Sequence, residues 1–248
     1  MEQVDLQATL MGGQCFAWEE KDGVYSAVLK GKQVSLSCAE DIQGPFLSDY
    51  FDMSFDYKAA REYLATLSPV LDQAVTTCPG LHILRQDPYL VTINFLLSQN
   101  NNIKRIKALY DTLCRSYGTE VSTGRFSFPT RDQLSKATEK ELLSLKFGYR
   151  SGYIVSVVRE YGRLGGLEKL STAKARERLM TLRGIGPKVA DCILVFGYHR
   201  WDAFPMDTWM RKVMCSYFPN KDGSYFAPYQ ALAQQYLFQS AQSGRLVC

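Results

Sequence analysis

The spacing of apolar and polar positions changes once along this chain, near residue 56. Before that point apolar residues fall in short β-prone runs. Val24 to Lys30 and Gln33 to Cys38 are two such runs, separated by Gly31-Lys32, a two-residue hairpin signal with glycine first. After it, helical spacing dominates. Tyr57 to Leu67 reads as a short helix, and Cys78-Pro79-Gly80 punctuates the chain before a longer helical body. Pro88 to Gln99 is apolar on most faces (Leu90, Val91, Ile93, Phe95, Leu96, Leu97), which predicts a buried helix. Asn100 to Asn102 interrupts it as a helix-to-helix corner, because asparagine caps helices and tolerates left-handed backbone. The next helix gathers Ile103, Ile106, Tyr110 and Leu113 on one face and leaves Lys104, Arg105 and Lys107 to face outward.

Two capping boxes, Thr130 with Gln133 and Thr138 with Glu141, mark further helix starts. Gly148 ends the second of these helices, and Ser151 begins another that runs through Val158. Ala173 to Leu182 and Val189 to Tyr198 flank a Gly/Pro turn, and Thr208 to Phe218 and Tyr225 to Ser240 complete the series. The predicted fold class is α+β: a small N-terminal antiparallel β domain over residues 1–78 and an all-helical body over 79–248, with a helical hairpin at about 173–198.

Composition narrows the class only modestly. At 248 residues the chain can bury one large core or two modest ones, and a net charge of +4 permits nucleic-acid binding without requiring it. Seven cysteines without a C-x-x-C pair argue for reduced thiols in an intracellular compartment, cytoplasm and nucleoid in a bacterium or nucleus in a eukaryote. With two histidines, no metal site built from side chains is expected. No apolar run is long enough to span a membrane, and no signal-peptide core is expected at the N-terminus.

The strongest chemical signal is Leu182-Arg183-Gly184-Ile185-Gly186-Pro187-Lys188-Val189-Ala190-Asp191, followed by Phe204-Pro205-Met206-Asp207. Gly184 suits a left-handed turn, Pro187 suits the first helical position, and free N–H groups at a helix start can hold an anion. Lys188 opposes the helix dipole, and dipole and burial together would favour its neutral, nucleophilic amine. Each residue also has a plain local explanation. The turn can be a corner without a ligand, Lys188 an exposed lysine, and Asp207 the N-cap of the helix from Thr208. Gly13 can be a turn glycine, Phe238 a core residue, and Arg105 and Arg150 a solvated basic face.

The segment resembles the helix-hairpin-helix, Gly/Pro-rich loop and aspartate signature of the base-excision DNA glycosylase superfamily, and its lysine resembles the bifunctional 8-oxoguanine glycosylase/AP lyase branch. Gly13 to Trp18, Ser98 to Ile103 and Phe147 to Arg150 match that branch in order, and Gln234 to Phe238 matches less strongly. The resemblance implies that the amides of Gly184 and Gly186, beside Lys188, contact a DNA phosphate. It also implies turn carbonyls that can hold a monovalent cation, with no cofactor required. Lys188 would attack C1′ of a flipped nucleotide, form a Schiff base and permit β-elimination, with Asp207 stabilising the developing positive charge. The Gly13 carbonyl would accept the N7 proton that 8-oxoguanine has and guanine lacks, a discrimination of roughly 1–3 kcal/mol. Phe238 and Cys192 would sandwich the base, and Gln234 would bond its Watson–Crick edge. Asn100, Tyr149, Arg105 and Arg150 would fill the vacated stack and read the opposite cytosine. Two positions depart from the family pattern: Ala17, where many relatives carry arginine, and Trp209, where they often carry histidine. The implied partner is double-stranded DNA containing oxidised guanine, bound by a monomer. The alternatives are a glycosylase for another damaged base and a non-catalytic helix-hairpin-helix DNA-binding module. The latter has no need of Lys188 and Asp207 at this spacing.

Overall fold

The structure, a computed structural model, describes residues 3–246. A short helix α1 (Leu6–Met11) precedes a three-stranded antiparallel meander of β1 (Glu19–Lys21), β2 (Val24–Leu29) and β3 (Lys32–Leu36). Both meander turns have left-handed backbone at both central residues, Asp22-Gly23 (φ 52° and 78°) and Lys30-Gly31 (φ 47° and 74°). Leu29 pairs with Lys32, so the second turn lies one residue earlier than Gly31-Lys32. Glycine thus occupies the second position of a type I′-like turn, not the first. β1 escapes a hydrophobic reading because all three of its residues are exposed and charged.

Helix α2 (Gly44–Tyr50) closes over this sheet, and Leu10, Trp18, Leu29, Leu36, Tyr50, Phe51 and Leu84 form a small core. Trp18 donates its indole N–H to the Tyr50 hydroxyl at 3.1 Å, which satisfies the one polar atom of a fully buried ring. Helices α3 (Tyr57–Leu67) and α4 (Pro69–Thr77) follow, and their buried residues join the larger core.

That larger core is built by α5 (Pro88–Leu97), α6 (Ile103–Tyr117), α7 (Arg131–Leu134), α8 (Glu139–Ser144), α9 (Arg150–Glu160), α10 (Thr172–Leu179), α11 (Pro187–Phe196), α12 (Thr208–Tyr217) and α13 (Gln230–Gln242). Both capping boxes, at Thr130 and Thr138, form as the sequence predicts. A small hairpin, β4 (Glu120–Ser122) and β5 (Arg125–Phe126), interrupts the body that the sequence pattern predicts as all-helical. At the centre lie α5, buried from Val91 to Leu97, and α11, buried from Val189 to Phe196. They pack with Phe95 stacked on Phe196, ring centroids 5.4 Å apart.

Lys107 does not face outward as its helix period suggested. Its ammonium turns back to the Trp18 carbonyl (2.7 Å) and the Met11 sulfur (3.1 Å), and burial holds its pKa below the usual lysine value. The α6 lysine thereby fastens the loop between α1 and β1.

A second polar tie joins the N-terminal region to the segment after α11. The Asp52 carboxylate, fully buried, accepts from Arg85 Nε (2.8 Å) and Tyr57 Oη (3.1 Å) and lies 2.9 Å from His199 Nε2. Burial pushes the Asp52 pKa up, but His199 and then Arg85 outweigh it and hold the carboxyl below its ordinary value. A depressed folded-state pKa gives stability that is present above the unfolded value, about 3.9, and is lost as pH falls through the folded value. Asp52→Asn should therefore lower stability at pH 7 by about 3 kcal/mol, roughly 6–12 °C in Tm. The gap to wild type should shrink in melts below about pH 4. A pH-independent gap would show that the ion pair is not its source.

Candidate active site

The helical hairpin is tighter than its sequence period suggested. α10 ends at Leu179, not Leu182, and the chain then turns through Leu182 N–H to Leu179 O and Ile185 N–H to Leu182 O, both 3.1 Å. Gly184 has φ 88° and so adopts the left-handed backbone, but inside the turn and not directly at the helix end. α11 starts at Pro187, two residues before Val189, with proline at its first position, and stops at Phe196 because Gly197 caps it. α9 likewise begins at Arg150, one residue before Ser151.

No side chain caps α11 at Gly186, which leaves its first-turn N–H groups for an outside partner. The two hairpin glycines answer different demands. A Cβ on Gly184 would lie 2.5 Å from the Tyr153 ring, whereas one on Gly186 would meet nothing within 4 Å. Arg176 Nε donates to Asp191 Oδ1 at 2.6 Å and pins α10 to α11. Burial raises the Asp191 pKa against the pull of Arg176. The sequence reading passed over Asp191, whose partner lies on the other helix.

Lys188 is half-buried, with its Nζ 5.1 Å above the centroid of the Phe95 ring. Phe95 is itself fixed by the stack on Phe196 and an edge contact with Phe16, centroids 6.1 Å apart. Cys192, four residues on, is pushed up to about 11 by burial, with the Lys188 charge and hydrogen bond acting the other way. Its thiol therefore stays protonated at neutral pH. Asp207 caps α12, its Oδ1 accepting from Met210 N–H at 2.8 Å. The cap fixes the carboxylate without removing it from the site.

Lys188 and Asp207 line one narrow cavity, about 50 Å³, with Gly13, Cys192, Gln234 and Phe238. Six residues singled out on four separate stretches of chain thus meet at one place. Lys188 also lines a wider cavity of about 650 Å³ that runs past Gly186, Arg176 and Arg211. Lys188 is thus common to the wider cavity and the narrow one.

The Gly12-Gly13 loop is held by a residue the hydrophobic pattern could not reveal. Buried Gln14 donates to the carbonyls of Thr9 (2.9 Å) and His82 (2.8 Å) and accepts from Leu84 N–H (2.9 Å). Gln86 then donates to the Gln14 carbonyl at 2.9 Å. Gly13 has φ 88°, and a Cβ there would have only the Phe238 ring, at 3.9 Å, for a neighbour. Gln234 is buried and its Oε1 accepts from Gln235 Nε2 at 2.7 Å. Phe238 is half-buried, a core contact on one side and a cavity wall on the other.

A second group surrounds the α5–α6 corner. Asn100 is exposed with φ 45°, and Asn102 caps α6 by accepting from Arg105 N–H at 2.9 Å. Tyr149 is 49% exposed, and Arg105 is exposed, in keeping with a solvated basic face. Arg150 does not belong to such a face. It is buried, its guanidinium lies 4.6 Å from the Tyr149 ring centroid, and Nη2 donates to the carbonyls of Gln99 and Asn100. Trp209 stands 41% exposed at the start of α12, with Lys212 Nζ 5.5 Å from its ring centroid. Ala17 is half-buried and touches both cores.

Comparison with known proteins places this geometry. Residues 1–89 match the 8-oxoguanine DNA glycosylase N-terminal domain, and residues 93–233 match the HhH-GPD superfamily of base excision DNA repair proteins. The chain is 29% identical over 259 residues to an N-glycosylase/DNA lyase of Saccharomyces cerevisiae, a match covering 84% of this chain and 66% of the yeast protein. It thus spans about two thirds of that relative's length. Among solved structures it is similar to MBOgg1 in complex with a low-affinity DNA ligand, with a TM-score of 0.89, 30% identity, and coverage of 98% of this chain and 93% of that one. It is also similar to the Clostridium acetobutylicum 8-oxoguanine glycosylase/lyase in complex with double-stranded DNA containing cytosine opposite 8-oxoguanine, with a TM-score of 0.87, 29% identity and the same coverages, 98% and 93%. The chain belongs to the HhH-GPD superfamily of base-excision DNA glycosylases and, within it, to the 8-oxoguanine glycosylase/lyase family.

Proposed function

We propose that this glycosylase/lyase excises 8-oxoguanine paired with cytosine in duplex DNA, using Lys188 as nucleophile and Asp207 as its carboxylate partner. The observation that carries the reading is the convergence of Gly13, Cys192, Gln234 and Phe238 on the cavity that Lys188 and Asp207 share. A base cannot be attacked inside the stack, so the lesion is flipped out, and Asn100, Tyr149 and Arg105 fill and read the gap. Arg105 is free to reach the opposite base, whereas Arg150 supports the corner from behind through the Gln99 and Asn100 carbonyls.

The Lys188 amine, having given up its proton, attacks C1′, and the glycosidic electron pair leaves with the base. The sugar ring opens to a Schiff base, and β-elimination breaks the C3′–O bond. Asp207 stabilises positive charge on the sugar and takes part in moving the amine proton. Cys192 and Phe238 flank the flipped base, Gln234 bonds its Watson–Crick edge, and the Gly13 carbonyl accepts the N7 proton. The free-state cavity of about 50 Å³ is far below the usual range of small-molecule pockets, roughly 300–1,000 Å³. Phe238, the partly exposed wall, is the side chain that yields when the base enters.

The amides of Gly184 and Gly186 hold a DNA phosphate beside Lys188, a contact that positions the duplex without reading sequence. The turn carbonyls can add a monovalent cation, and no other cofactor is invoked. The enzyme acts as a monomer, inside the cell.

The wild-type protein should release 8-oxoguanine from an 8-oxoguanine·cytosine duplex in a panel of defined lesions. Preference for another damaged base would overturn the substrate assignment. Gly13→Ala should slow 8-oxoguanine excision about tenfold, within the 1–3 kcal/mol of an unpaired buried polar group. Cleavage at a preformed abasic site should fall less than about threefold, since no base is read there. Equal losses would remove Gly13 from recognition. The hairpin gives a separate test. Gly186→Ala should melt within about 2 °C of wild type yet bind duplex DNA about tenfold more weakly, because its methyl points into open space. Gly184→Ala should lose about 2 kcal/mol of stability from its left-handed backbone and the Tyr153 ring. Unchanged DNA affinity in Gly186→Ala would contradict the phosphate role.

A further inference from the structure

Gln99 makes contacts that none of the roles above requires. Its side-chain Nε2 donates to the Gly184 carbonyl of the hairpin at 3.0 Å, across 85 residues of sequence. Its own carbonyl accepts from Tyr149 Oη at 3.1 Å and from Arg150 Nη2. Tyr149 meets the Tyr153 ring edge-on, centroids 5.7 Å apart. Tyr153 packs against Gly184, leaving no room for a Cβ there, and carries the Arg183 guanidinium 5.7 Å from its centroid. The contacts close a ring: hairpin glycine to Gln99, Gln99 to Tyr149, Tyr149 to Tyr153, and Tyr153 back to the hairpin glycine.

We infer that Gln99 is a positioning residue that couples phosphate capture at the hairpin to the Asn100 corner that enters the DNA stack. The inference rests on the proposed 8-oxoguanine activity. Three elements meet at this ring: the hairpin turn, the α5–α6 corner and the first turns of α9. The Asn100 backbone next to Gln99 is left-handed and exposed, and the corner's own bonds are local, Asn101 Nδ2 to the Leu97 carbonyl (3.0 Å) and the Asn102 cap on α6. Its tie to the hairpin and to α9 runs through the carbonyls that Tyr149 and Arg150 hold and the amide that Gln99 sends to Gly184. A phosphate that fixes the Gly184 turn therefore also fixes the corner, before any base leaves the stack.

The coupling matters most where extrusion is hardest. A paired lesion must be unpaired and unstacked at a cost of a few kcal/mol, while a lesion already lacking its partner base costs less. Gln99→Met keeps the length of the side chain and removes the donor. Gln99→Asn keeps the amide but shortens the reach by one methylene, and should behave alike. Single-turnover excision should fall about tenfold, equivalent to about 1.4 kcal/mol, for 8-oxoguanine paired with cytosine. It should fall less than about threefold for 8-oxoguanine in a single-base bulge. Affinity for undamaged duplex, set by the hairpin, should stay within about twofold of wild type. A Gln99 with only a structural role would lower both excision rates equally, and that outcome, or no loss in either substrate, overturns the inference. Wild-type protein assayed in parallel separates this from the parent reading: if it fails to excise 8-oxoguanine at all, the activity assignment falls, not the role of Gln99 alone.

Discussion

Everything at this site depends on the packing of α11 against α5. Both helices are buried over seven or more consecutive residues, so neither can slide without breaking core contacts. Phe95 belongs to both the packing and the chemistry, stacked on Phe196 below and lying under the Lys188 ammonium above. The first turn of α11 is where this rigid pair reaches the hairpin and the groove. A lysine placed there is held by the core and still meets solvent. Truncating a ring in such a stack typically costs about 3–5 kcal/mol, more than enough to misplace the amine.

The carboxylate is fixed by different means. Between α11 and α12 the chain passes His199, tied to buried Asp52, and Phe204, stacked on Phe226 at 5.3 Å, before Asp207 caps α12. The recognition loop is fixed by a third device, the carboxamides of Gln14 and Gln86 and the ammonium of Lys107 bonded to backbone groups. Apolar packing therefore places Lys188, and buried polar ties place the groups around it. Such ties are directional, and a buried donor left without its acceptor costs about 1–3 kcal/mol, so the loop has one well-defined geometry.

What the sequence made legible follows from which forces leave a local trace. The hairpin with Pro187 and Lys188, the capping boxes and the buried α5 depend on neighbours within a turn or two, and they appear where the pattern put them. Gly13, Cys192, Gln234 and Phe238 were legible only through resemblance, since nothing local says that Gly13 and Phe238 face each other. Polar long-range partners left no trace. Gln14, Gln99 and Asp191 have no role of their own in the sequence pattern until the fold brings their acceptors or cations within 3 Å. Lys107 was expected to face outward, and a solvated face was one explanation for Arg150, because a helix period cannot show a carbonyl waiting on another segment. β1 was missed because its three residues contribute no apolar side chain.

The central claim is that Lys188 is the nucleophile, and trapping tests it most directly. Wild-type protein incubated with an 8-oxoguanine·cytosine duplex and sodium borohydride should yield a covalent protein–DNA adduct whose peptide map places the sugar on Lys188. Lys188→Gln should still bind the lesion duplex and give no adduct. An adduct mapped to another amine, or undiminished trapping in Lys188→Gln, would contradict the account.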